Sequence, residues 1–256
     1  MCDKKRIIRL VFAVVGISLI CSSCEGMFSG IYDDNEEDEI IDTNKNIYGF
    51  TSYNKQTKEG TLYLNLSNFD RWLYLCFDDQ TIDTVFIPTA LTGDWDGQSA
   101  LHYQYVHGSQ FTFDTLTKTD TQIDPDKWDI ALHKYEGKAN GGVYETAFTS
   151  LSELPSNSES FDNVDYTEDE WIDTLVITDI SRMYEYYIGY QNIRCNKVLS
   201  NWLVMDFSTP PPTYHPSNKV YIVKLKNNKK IALHFDNYMS AKGTLGFVTI
   251  SFIYPY

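Results

Sequence analysis

Met183 stands in Ser181-Arg182-Met183-Tyr184-Glu185-Tyr186-Tyr187, a polar and aromatic run where an ordinary core methionine is out of place. A thioether there can ligate haem iron, with Tyr rings to lie against the porphyrin and a cation to meet a propionate. Packing of the same thioether on neighbouring Tyr rings is the competing use of these residues. A second donor is His215, in Pro210-Pro211-Pro212-Thr213-Tyr214-His215-Pro216, where four prolines restrict the backbone and project side chains from a stiff loop. The remaining histidines, at 102, 107, 133 and 234, lack the i,i+4 spacing of a helical metal pair, so a zinc site is not expected. His133 and His234 lie at strand positions beside aromatic residues and read as packed side chains. Met205 alternates within residues 202–207 and reads as core.

Other chemistry is hard to find. Asp124-Pro-Asp126-Lys-Trp-Asp129 and Asp94-Trp-Asp96-Gly97 cluster carboxylates, but neither has the full spacing of a calcium loop, and turns or solvated faces explain them better. There is no G-x-S-x-G, H-E-x-x-H, G-x-x-x-x-G-K-[ST] or G-x-G-x-x-G, so the common signatures of hydrolysis, zinc catalysis and nucleotide binding are missing. The sequence supports binding and no enzyme. With 21 Lys and Arg against 35 Asp and Glu, net charge −14, nucleic acid and anionic lipid surfaces are poor partners.

The elements that must position these side chains are strands. The 256 residues include 19 Tyr, 14 Phe and 5 Trp, a composition suited to pleated, half-buried surfaces. Residues 62–66 and 72–77 read as paired strands, and residues 128–133 as another, with Trp128, Ile130 and Leu132 on one face, ending before the turn at Asn140-Gly141-Gly142. Further strands are expected at 175–178, 202–207, 220–226, 230–235 and 247–254, with Asn227-Asn228 as a hairpin turn. Residues 88–124 read as an inserted hairpin or long loop and 156–170 as a surface connection. No helix longer than two turns is expected.

The N-terminus is an address. Lys4, Lys5, Arg6 and Arg9 precede a short apolar run from Ile7 to Ile20, and Ser22-Ser23 stand before Cys24. This is a bacterial secretory signal whose end resembles a lipoprotein cleavage box, making Cys24 the lipidated residue of the mature chain. Loss of residues 1–23, with four cations and Asp3, takes the net charge to −17. Residues 24–46, with the block Asp33-Asp34-Asn35-Glu36-Glu37-Asp38-Glu39, form a solvated tether. The acidic block resembles the surface-export signal of Bacteroidetes lipoproteins, implying outward display on the outer membrane, with the lipid as the only membrane contact. A β domain then occupies 47–256. Cys76 and Cys195 remain in it, equally compatible with one disulfide and with two buried thiols.

Lys127-Trp-Asp-Ile-Ala-Leu-His-Lys-Tyr135, followed by Asn140-Gly141-Gly142, resembles the signature of the HmuY family of haem-binding lipoproteins. Tyr214 to Asn218, Val220 to Lys224, Ile231 to Tyr238 and Gly246 to Tyr254 resemble that family's closing strands, and Leu64 to Phe77 its opening pair. The resemblance implies an all-β, hand-shaped antiparallel fold in which loops grip one haem, captured from host haemoproteins and passed to a TonB-dependent outer-membrane receptor. It implies two axial ligands, His or Met, from two loops: Met183 in the first, and in the second His215, because Ser208-Thr209-Pro210 stand where a ligand is looked for. Tyr184, Tyr186, Tyr187 and Tyr214 would then cover the macrocycle, and Arg182 or Lys197 would meet propionates. The alternative is a surface adhesin or glycan- or peptide-binding lipoprotein on the same scaffold.

Overall fold

The computed structural model describes residues 48–87, 102–107, 110–115, 123–172, 174–185, 187–208 and 210–256. The signal, Cys24, the tether and Tyr186 lie outside the described residues, as does most of the 88–124 insertion. The described chain is built of antiparallel strands joined by turns and short 3-10 segments.

Seven strands form the larger sheet, in the order Gly49–Tyr53, Glu59–Asn65, Leu245–Ile253, Lys230–Met239, Val220–Leu225, Gly141–Glu145 and Thr167–Glu168. Glu59–Asn65 and Leu245–Ile253 alternate strictly, sending Leu62, Leu64, Val248, Ile250 and Phe252 inward. Val220–Leu225 is apolar without alternation because both of its faces are covered. Tyr221, Val223 and Leu225 enter the main core, whereas Val220 and Ile222 join Phe161 and Ala232 on the opposite side.

Four strands, Thr81–Phe86, Arg71–Cys76, Ile130–His133 and Glu136–Ala139, form a second sheet laid over the first. Leu75, Ile130, Leu132 and Ala139 pack inward with Leu62, Leu64, Val223 and Phe252. Trp72, Tyr74, Ala131 and Trp128 face the other way, into a layer closed by Val176, Ile193 and Cys195. Trp128 therefore does not share a face with Ile130 and Leu132: the strand begins only at Ile130, and Trp128 precedes it in an irregular bend. Thr81–Phe86 was not expected, because its side chains are mostly exposed and carry no apolar alternation.

The Asn140-Gly141-Gly142 motif ties the sheets together. Gly141 has a φ of +154°, and a Cβ there would stand 2.0 Å from the Lys224 carbonyl oxygen, so only glycine allows Gly141–Glu145 to pair with Val220–Leu225. The Asn140 side chain donates to the Trp128 carbonyl at 2.8 Å. Asp129 accepts from the Phe77 amide at 2.7 Å, and Asp124 pairs with Lys138, so these carboxylates serve the scaffold. Lys138 is 1% exposed, and its ammonium lies 5.5, 5.3 and 5.2 Å from the ring centres of Trp72, Tyr74 and Trp128. Desolvation holds its pKa below the usual lysine range.

A third sheet, in the order Val176–Asp179, Tyr187–Gln191, His102–His107 and Gln110–Thr115, takes in the hairpin expected of the insertion. Residues 156–170 are more than a surface connection: the 3-10 turn Ser158–Phe161 buries Phe161 against the outer face of the large sheet. Cys76 and Cys195 are both buried free thiols, and burial pushes that of Cys195 up to about 11.

Candidate functional site

Met183 opens a single 3-10 turn, Met183–Glu185, between the first two strands of the third sheet. Asp179 caps the approach by accepting from the Ser181 amide at 2.8 Å, and the Met183 amide donates to the Ile180 carbonyl at 3.0 Å. This presents a half-buried thioether on a short, hydrogen-bonded connection. Arg182 is held by the Glu185 carboxylate at 2.5 Å, and that hydrogen bond lowers the Glu185 pKa. Tyr184 is 77% exposed. Of Tyr187 the structure gives the backbone, which enters the Tyr187–Gln191 strand.

His215 lies in a different place, on a two-stranded ribbon made of Leu203–Asp206 and Thr213–Pro216. The ribbon grows from a rigid base. Trp202 is fully buried, stacks on Phe235 with ring centres 4.6 Å apart, and donates from Nε1 to the Tyr135 carbonyl at 3.0 Å. The Ser217 amide donates to the Trp202 carbonyl at 2.7 Å and closes the ribbon across its foot. Residue pairing places Val204 opposite His215, Met205 opposite Tyr214 and Asp206 opposite Thr213.

Opposed residues share a face, so the ribbon has two distinct sides. Met205, Phe207 and Tyr214 share one. Tyr214 lies nearly parallel to Tyr135 at 6.4 Å, tilted on Tyr238 at 6.1 Å, and edge-on to Phe207 at 6.4 Å, so this side looks back at the body. Burial pushes the Tyr135 phenol up to about 12 and that of Tyr238 also upward, keeping both neutral. Val204, Asp206, Thr213 and His215 occupy the outward side. His215 Nδ1 is 3.1 Å from the Pro216 carbonyl oxygen, a partner that assigns the proton to Nδ1 and leaves Nε2 as the available nitrogen. The Asp206 carboxylate is held below its ordinary range, chiefly by hydrogen bonds from Ser208, with His215 adding a smaller attraction.

Met205 is 40% exposed, as is Val204, and Phe207 is 65% exposed. The core position expected for Met205 is thus corrected: the side of the ribbon it shares with Leu203 and Tyr214 is covered by the body at those two residues, but at Met205 and Phe207 it is left exposed. The two donors expected from the sequence stand on separate elements, Met183 on the third sheet and His215 on the ribbon's outward side.

A cleft of about 410 Å³ has Phe69, Tyr135, Val176, Ile177 and Cys195 among its walls, and neither Met183 nor a residue of the ribbon lines it. Lys197 lines it too, paired with Glu170 at 3.1 Å. The cleft joins Tyr135, on which Tyr214 of the ribbon is stacked, to the strand that leads into the Met183 turn. Of the other histidines with described side chains, His133 meets Glu136 at 2.8 Å and the Phe69 carbonyl at 2.7 Å, while His234 meets Asp236 at 2.6 Å through Nδ1 and keeps a buried Nε2 without a hydrogen-bond partner. Among the described residues no group of three or more His, Cys, Asp or Glu side chains could hold a bare metal ion.

These features define an all-β antiparallel scaffold whose candidate donors are carried on connections outside its core. The chain belongs to the HmuY family, whose profile matches residues 68–252. A candidate HmuY-like heme-binding protein from Bacteroides vulgatus ATCC 8482 is 34% identical, with a TM-score of 0.64 and a match covering 82% of this chain and 99% of that one. A candidate lipoprotein from Bacteroides fragilis NCTC 9343 is 31% identical, with a TM-score of 0.60 over 82% of this chain and 96% of that one. The fold is shared by the apo HmuY analog of Tannerella forsythia, 20% identical, with a TM-score of 0.55 over 76% of this chain and 94% of that one. No curated protein matches the chain.

Proposed function

We propose that this chain is a haem-binding lipoprotein of the outer membrane, anchored through Cys24, facing the cell exterior, and passing captured haem to a TonB-dependent receptor. Host haemoproteins are the proposed source of the haem. The observation that carries the reading is the projecting ribbon. It holds Val204, Met205 and Phe207 uncovered within four residues, whereas the other exposed large hydrophobic side chains among the described residues, Phe86, Ile123 and Trp171 among them, stand singly along the chain, and it adds a histidine with Nε2 available. Apolar surface beside soft and imidazole donors suits a flat, hydrophobic, iron-bearing ligand. The 34% identical relative described as heme binding supports the same ligand.

The role is binding without turnover. Haem supplies an iron that takes two axial donors. Met183 would provide one, and the Leu203–Asp206 and Thr213–Pro216 ribbon the other, through His215 or through Met205. Tyr184, Tyr186, Tyr187 and Tyr214 would cover the macrocycle, and Arg182 or Lys197, each now held by a carboxylate, would exchange that partner for a propionate.

Titration of the purified protein with haemin, read by absorbance before and after dithionite, tests this. A saturable one-to-one Soret shift, with sharpened α and β bands on reduction, is expected. A broad spectrum that never saturates, like that of free haemin, would overturn the haem reading and turn attention to glycan or peptide ligands.

A further inference from the structure

Three tyrosines close into a triangle where the ribbon meets the body. Tyr135 stands in the turn between Ile130–His133 and Glu136–Ala139, and its carbonyl accepts from the buried Trp202 indole, which fixes its backbone. Tyr214 comes from the ribbon strand Thr213–Pro216, and Tyr238 from Lys230–Met239 in the large sheet. The Tyr135 and Tyr214 rings are 6.4 Å apart and 9° from parallel, and Tyr238 lies 6.4 Å from the first and 6.1 Å from the second. Phenylalanine rings would fill the same space without hydroxyls to accommodate, so packing alone does not account for three phenols at one junction. What a phenol adds is redox chemistry. It gives up one electron and one proton to a strong oxidant, and two adjacent phenoxyl radicals pair through the ring carbons ortho to oxygen.

We propose that Tyr135 and Tyr214 form an oxidative cross-linking site, at which hydrogen peroxide joins the ribbon covalently to the body. The proposal rests on the haem reading above, which supplies a one-electron catalyst beside Tyr214, and goes beyond it. Each phenol loses one electron and one proton. Peroxide takes up both electrons and both protons and leaves as two waters, and the iron ends in the state in which it began. One carbon–carbon bond forms between the ortho carbons, whose hydrogens then move to oxygen and restore both phenols. Tyr135 and Tyr214 start face to face on two elements already docked, which makes the coupling a reaction within one molecule. Tyr214 is half-buried on a projecting ribbon and can make the final approach. Tyr238 cannot, because it is 2% exposed and wedged edge-on against Trp202 at 5.6 Å. The product pins the ribbon to the hairpin turn that carries Tyr135.

The test treats the haemin-loaded protein with hydrogen peroxide and maps its tryptic peptides by mass spectrometry. Trypsin releases Tyr135 in residues 135–138, Tyr214 in 198–219 and Tyr238 in 231–242, each with a single tyrosine, so every pairing has its own mass. The expected main product is 135–138 joined to 198–219, two hydrogens lighter than the sum of the two, with the blue fluorescence of a biphenol. It should disappear in Tyr135→Phe and in Tyr214→Phe, which keep the rings and remove one hydroxyl each, and in wild type given peroxide without haemin. A link through Tyr238 or through residues 183–194 in its place, or no link in a protein that saturates with haemin, would overturn the proposal and leave the haem reading intact. Failure of the wild type to saturate with haemin would overturn both.

Discussion

Asp129 is the residue at which the cost of this scaffold is most directly measurable. Its carboxylate is buried and accepts the Phe77 amide, and burial raises its pKa above the ordinary carboxylate value. A raised folded value means that folding favours the protonated acid, so the folded state loses stability as pH climbs from the unfolded value through the folded one. Asp129→Asn keeps an oxygen for the Phe77 amide and removes the titration. The variant is expected to be at least as stable as the wild type at pH 7, with the difference shrinking toward pH 4. Thermal midpoints at several pH values check this, and a difference that widens in acid would contradict it. At Met183 the expectation concerns binding alone: Met183→Leu should leave the urea midpoint unchanged and weaken haemin binding by about tenfold or more. An unchanged spectrum and affinity would remove Met183 from the site.

Among the elements, the Ile130–His133 and Glu136–Ala139 hairpin does the most organising. Lys138 in that hairpin reaches into the cage of Trp72, Tyr74 and Trp128 and holds Asp124, the residue near the point where the insertion rejoins the sheet. Lys138→Ala empties the cage and deprives Asp124 of its cation, a change expected to cost about 3 kcal/mol in urea unfolding. Lys138→Met, which refills the cage without charge, should cost distinctly less. Equal losses in the two variants would show that the charge, and not the packing, matters. Trp202→Ala removes a fully buried indole at the ribbon's foot and should cost about 3–5 kcal/mol. Four strands of the large sheet were readable, Leu245–Ile253 because its alternation matches a single buried face and Val220–Leu225 because it is apolar throughout, whereas Gly49–Tyr53, Gly141–Glu145 and Thr167–Glu168 carry no such signal and residues 62–66 and 72–77, expected to pair, lie in different sheets. Thr81–Phe86 was hidden by its exposed side chains, and Met205 was misplaced because periodicity does not reveal whether a strand has a sheet beneath it. The Met183 segment stood out for the opposite reason: its polar and aromatic neighbours excluded a core position. Which side of the ribbon faces the body was not legible, since it depends on two distant tyrosines, Tyr135 and Tyr238, that meet Tyr214.

On the scale of the whole molecule, the core lies between two sheets, and the candidate donors occupy pieces attached outside it. Binding variants in the ribbon or the Met183 turn should therefore separate cleanly from folding variants between the sheets. The proposed anchor adds a prediction of its own. Cys24→Ser should shift the protein from the detergent-soluble membrane fraction to the aqueous fraction of the bacterial envelope, with haemin affinity unchanged. Retention of the variant in washed membranes would overturn lipidation at Cys24.

The pairing of Leu245–Ile253 with Glu59–Asn65 has a kinetic meaning. Leu245–Ile253 is inserted between the first hairpin and the strand that immediately precedes it, so the large sheet cannot close until residue 253 has emerged. Contacts between residues nearly two hundred positions apart give the domain a high contact order and slow folding. A chain that cannot fold while it emerges remains threadable through a secretory pore. Such an order of assembly fits the export proposed above, in which the polypeptide would cross the membrane unfolded and close its sheet on the far side.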